Sequence, residues 1–150
     1  MSSHSLHEIQ VAPNEKVAGL SRLWWVGLLV IVVATVVNIV LALGATTLFA
    51  GLAAFSPLGT GTIGLFTFVG ALGAVIVFAL LGRFAQRPIH LFRIAAVIVL
   101  MLSLIPDILL LVQPVFPSTT LAGVAVLMLL HIVTAAICVS MLTTLGHARA

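Results

Sequence analysis

The sequence predicts an all-α fold, a four-transmembrane-helix bundle running up-down-up-down with both termini cytoplasmic. Three observations carry that expectation. The chain of 150 residues is 63% hydrophobic and 6% charged, with a mean hydropathy of +1.39, where soluble domains carry roughly a quarter charged residues. Its apolar residues gather into four runs, each about long enough to cross a hydrocarbon core of ~30 Å. All six Lys and Arg residues fall before the first run, between the second and third, or after the fourth. A soluble fold would have to bury these runs in a chain too short to cover them. A bilayer covers them directly.

Other classes are disfavoured by the same composition. A net charge of +3 and a pI near 10.6 come from few basic side chains without aromatic interleaving, so no nucleic-acid partner is expected. The single cysteine, Cys138, excludes an internal disulfide, a CxxC redox pair and a cysteine-rich metal site. No metal and no cofactor is expected. His4 and His7 have spacing suited to a metal but no third ligand nearby.

Residues 1–21 read as a flexible cytoplasmic tail, and 147–150 as a short cytoplasmic end. Arg22 followed by Leu23-Trp24-Trp25 is the arrangement of a helix entering from the headgroup region. The domain proper spans 22–146. Its first helix, about 23–49, would reach ~40 Å at 1.5 Å per residue, longer than the core, and is expected to tilt or to break near Gly44. It is too long for the apolar region of a signal peptide. Thr35, Asn38 and Ala42 share one face that should meet other helices. An uncharged turn containing Ser56-Pro57 leads to the second helix, about 62–82, where Gly64, Gly70, Gly73 and Ala74 are small enough to admit a neighbouring backbone. Arg83, Arg87 and Arg93 crowd the next connection, and anionic headgroups there are worth ~1 kcal/mol per charge. The third helix, about 94–113, stops before Pro114 and Pro117, and the fourth spans about 121–145.

Counting basic residues puts both termini in the cytoplasm of a cell inner membrane, with the bilayer itself as the first partner. A homo-oligomer or a membrane-protein partner stays open. Dual-topology multidrug exporters are of similar size, but they need a weak charge bias and a first-helix carboxylate; this chain has neither.

The polar residues inside the spans form the candidate site. Counted from the expected cytoplasmic helix ends, Asn38, Thr67, Asp107 and His131 each fall about 20 to 22 Å deep. An ionised acid at that depth is expensive, so Asp107 should face inward and be protonated, paired or hydrated. His131 is the natural partner, with Asn38 and Thr67 supplying hydrogen bonds, and the two would titrate as one coupled pair. Pro106 removes the hydrogen bond to the carbonyl of Leu102 and should kink the helix, and Ser103 lies close enough to occupy part of that gap. On the fourth helix His131, Thr134 and Cys138 share a face.

Three readings stay open: hydrogen-bonded packing of four apolar helices, a binding or proton-linked transport site for a small or amphipathic ligand, and catalysis. No recognisable nucleophile and base, metal cluster or phosphate-cradling loop speaks for the last.

The four-helix order, the Arg-rich middle connection, Ser103-Leu104-Ile105-Pro106-Asp107 and Leu129-Leu130-His131 resemble an uncharacterised family of small bacterial four-helix integral membrane proteins, a domain of unknown function. The resemblance covers about Arg22 to Leu145. It implies a bacterial inner membrane and a four-helix bundle, adds weight to Pro106, Asp107 and His131, and implies no activity.

Overall fold

The computed structural model describes residues 19–146; the tail with His4 and His7 and the end at 147–150 lie outside them. The described residues form four helices: α1 Leu20–Leu48, α2 Thr60–Phe84, α3 Pro88–Val112 and α4 Leu121–Leu145. Two 3-10 turns, Ala50–Leu52 and Ser56–Leu58, join α1 to α2. Among the described residues there is no strand. All four helices are long and apolar enough to cross a membrane, where a helix satisfies its own backbone groups without water. Large apolar side chains point outward on every helix, and Trp24 and Trp25 are 74% and 76% exposed. So wide an apolar exterior fits lipid.

Helix boundaries follow local chemistry. Pro88 opens α3 ahead of the expected Ile94, because its fixed φ suits a first turn and its missing N–H is not needed there. Thr120 caps α4, its hydroxyl accepting from the Gly123 N–H at 3.1 Å. α1 does not break at Gly44: the hydroxyls of Thr46 and Thr47 donate back to the carbonyls of Ala42, Leu43 and Gly44, and the helix continues to Leu48.

The interior is two apolar clusters. One gathers Leu23, Val30, Phe78, Phe92 and Leu142, from the start of α1, the end of α2, the start of α3 and the end of α4. There the Phe78 and Phe92 rings meet edge-to-face with centroids 5.1 Å apart. The second, at the opposite end, gathers Ala42, Ile63 and Leu130 with Leu52, Phe55 and Leu58. The connection after α1 therefore plugs the bundle with its own buried side chains.

Close approach occurs where the second helix's glycines did not place it. A Cβ on Gly27 would come within 2.7 Å of Val75, and one on Gly123 within 2.8 Å of the Phe55 ring. Gly70 and Gly73 have nothing within 4 Å of that position, and Gly64 has only the tip of Ile39 at 3.6 Å. Gly70 and Gly73 leave space instead of letting a backbone in.

α3 is the least enclosed helix. Only Pro88, Phe92 and Asp107 on it are buried.

Candidate functional site: a buried polar layer and its cavity

A polar layer separates the two clusters. Asn38 lies between Ala34 and Ala42 on the buried face of α1, and Thr67 between Ile63 and Ala71 on that of α2; Asp107 and Thr143 are the other buried polar residues described. Since α3 begins at Pro88 and not near Ile94, Asp107 stands ~28 Å along it and about 8 Å from its far end. The layer thus sits in the half of the bundle remote from the first turn of α1 and the last of α4.

The layer consists of two separate units. In the first, Asn38 is 2% exposed, and its amide nitrogen donates to Thr67 Oγ1 at 3.0 Å and to Thr134 Oγ1 at 2.7 Å. A third acceptor, the Leu130 carbonyl, stands farther off at 3.4 Å, beyond what two amide protons serve well. That carbonyl is already taken by the Thr134 hydroxyl at 2.8 Å. Because the one proton of Thr134 is spent there, only an N–H can face its oxygen, which fixes the orientation of the Asn38 amide. One side chain thereby ties α1, α2 and α4 together. Its Oδ1 is buried with no hydrogen-bond partner.

In the second unit, His131 Nδ1 stands 3.1 Å from Asp107 Oδ2 and 2.9 Å from the Leu127 carbonyl. The carbonyl only accepts, so Nδ1 carries the proton and, in the neutral ring, Nε2 keeps its lone pair. Asp107 Oδ2 is buried without a hydrogen-bond partner, despite that 3.1 Å separation. The two facts agree if the Nδ1–H is aimed at Leu127: the carboxylate is near the ring but receives no aligned bond. Asp107 and His131, expected to pair, are together. Asn38 and Thr67, expected to support that pair, bond to each other and to Thr134 instead.

The remaining expected residues are placed as follows. Ser103 does not reach the carbonyl that Pro106 leaves free; its hydroxyl donates to the Leu100 carbonyl at 2.8 Å. Pro106 lies within a helix that continues to Val112. Arg83, Arg87 and Arg93 are exposed at the end opposite the layer, with the Arg83 guanidinium 5.8 Å from the centre of the Phe84 ring. Among the described residues no three His, Cys, Asp or Glu side chains gather as a metal-holding set.

Beside the layer lies a cavity of ≈ 980 Å³, near the upper end of the range of small-molecule sites. α2 and α3 form its walls, α4 its floor, and α1 contributes Asn38 alone. Its lining includes the small residues Gly70, Gly73 and Ala74 of α2 and Ala95, Ala96 and Ser103 of α3, which leave room between the two helices. Asp107, His131, Thr67, Thr134 and Cys138 line it too. His131 is 39% exposed. Phe66, Val69, Val99 and Pro106 belong both to the lining and to the exposed surface, so the cavity opens along the seam between α2 and α3. Thr134 was visible beforehand only as a neighbour on the face of His131, and the cavity had no signature apart from the glycines.

A four-helix chain of membrane-crossing length with one internal acid–imidazole pair defines a class, that of small polytopic membrane proteins with a polar core. Within it, residues 18–147 match the model described as Family of unknown function (DUF6069), and the chain belongs to that family. Comparison with curated proteins and with solved structures returned no match.

Proposed function

We propose that this protein binds or moves a small or amphipathic ligand within the membrane, using the Asp107–His131 pair as the polar contact. One observation carries the reading: the only acid among the described residues lies beside an imidazole on the wall of a large apolar cavity. Apolar pockets with a few convergent polar groups are the usual form of ligand sites, and membrane-embedded acids are retained where they serve a pathway or a site. With the basic residues of the Arg83–Arg93 connection at the cytoplasmic face of an inner membrane, both termini are cytoplasmic. A fluorescent protein fused to the C-terminus then fluoresces in a bacterial host, and fused alkaline phosphatase stays inactive; the reverse pattern would overturn the orientation.

Filling the cavity tests the ligand reading. Gly70→Leu projects into open space and should leave the bundle intact. Native mass spectrometry of protein extracted in mild detergent should show a bound small molecule on the unmodified chain and its loss from Gly70→Leu. Identical spectra from two folded proteins would refute the reading.

A second reading has its own support. The Asn38 unit is satisfied within the protein except for one oxygen, as expected of a device that only specifies packing. On that reading the chain is a structural or partner-stabilising subunit, and the scarcely buried α3 is the face left for another protein or a second copy.

A further inference from the structure

We infer that the occupant of the cavity is a lipophilic amine, a protonated N–H-bearing head at Asp107 and Asn38 with an apolar body along the α2–α3 seam, entering sideways from the bilayer. This rests on the ligand-binding reading above and narrows it to one chemical class.

The balance of donors and acceptors sets the head group. Both amide protons of Asn38 go to Thr67 and Thr134, the Thr134 and Ser103 hydroxyl protons to backbone carbonyls, and the His131 Nδ1–H to Leu127. Asp107 Oδ2 and Asn38 Oδ1, both buried and on residues that line the same cavity, are acceptors without a hydrogen-bond partner. A ligand head that satisfies them must bring N–H or O–H protons.

Charge narrows the class further. Among the described residues no Lys or Arg lines the cavity, and a cationic head brought to Asp107 pairs with its carboxylate. An anionic head is repelled there, a neutral hydroxyl forgoes the charge, and a quaternary ammonium has the charge but no N–H to give. Phe66, Phe92 and Phe116 line the wall, and aromatic faces attract cations. Entry from the side follows from the seam: the lining side chains Phe66, Val69 and Val99 are themselves exposed on the apolar flank of the bundle. Between Phe92 and Leu110, both in the lining, α3 rises ~27 Å, room for one long hydrocarbon chain.

The test uses the whole chain in phosphatidylcholine nanodiscs, titrated with dodecylamine, dodecyltrimethylammonium, dodecanol and dodecanoate. Calorimetry corrected for empty discs and the unfolding midpoint are read together. Dodecylamine should bind saturably, roughly tenfold or more tighter than each of the other three, as a charge-assisted hydrogen bond implies. Asp107→Asn should erase that preference, and Gly70→Leu should weaken every probe. The amine-over-quaternary comparison on the unmodified chain stands even if Asp107→Asn does not fold. Equal affinity for amine and dodecanol would overturn the amine assignment and leave the cavity reading standing. No saturable binding by any probe, with cooperative unfolding intact, would overturn both. Adding phosphatidylethanolamine to the discs should leave dodecylamine affinity unchanged; competition would replace the free amine by a lipid headgroup as occupant.

Discussion

Replacing Asn38 by leucine removes one side chain's hold on three helices at similar volume. Its two short bonds, 3.0 Å to Thr67 and 2.7 Å to Thr134, are interhelical hydrogen bonds inside a membrane protein. Such bonds average ~0.6 kcal/mol and reach ~1.7, because chains separated within the bilayer still find other partners. Two of them give about 1.2 kcal/mol, rising to ~3.4 at the upper limit. Leucine also removes the unfilled Oδ1, which offsets part of the loss. The expected cost is therefore about 1 to 2 kcal/mol. Reversible unfolding in bicelles, followed across double-mutant cycles, separates the contributions. Asn38→Leu with Thr67→Val, and separately with Thr134→Val, should each show a coupling near 0.6 kcal/mol. Asn38→Leu combined with Asp107→Asn should add within about 0.5 kcal/mol, since the two units share no hydrogen bond. Couplings below ~0.3 kcal/mol for both threonines would refute the claim that this amide fastens the helices.

The glycines make a second, opposed pair of expectations. Gly123→Ala drives a methyl to 2.8 Å from the buried ring of Phe55, which has little room to yield, and should cost about 1–3 kcal/mol in the same unfolding assay. Gly73→Ala meets nothing within 4 Å and should be neutral or stabilising by up to ~1 kcal/mol, the helix-propensity gain of alanine over glycine. Equal destabilisation by both would show the α2–α3 space to be filled.

Much of this was legible before any coordinates. Four apolar runs of spanning length, with Asp107 the one charged residue inside them, read as spans, and a lone acid at depth calls for a partner, so Asp107 and His131 come together despite an estimate of depth thrown off by the early start of α3 at Pro88. Helix rotation was not legible. Strings of Leu, Val and Ile around every helix give no apolar stripe to say which side is buried, so Gly70 and Gly73 passed as packing residues while Gly27, which does touch its neighbour helix, carried no mark among them. The same blindness assigned Asn38 to the acid when it belongs to Thr134. Ser103 was misplaced by ordinary competition: an intrahelical carbonyl was within reach, and serine hydroxyls take such acceptors readily.

The thin burial of α3 also bears on how the molecule is put together. With lipid as apolar as the helices, α3 is held by its packing on α4, as extensive as that of α1 on α4, and by the meeting of Asp107 with His131, whereas α1, α2 and α4 are knotted through one amide. The third span is thus the one that the Asn38 knot leaves out. The helix that buries least of itself is also a wall of the cavity, so what lies against that flank of the bundle lies against the cavity's mouth.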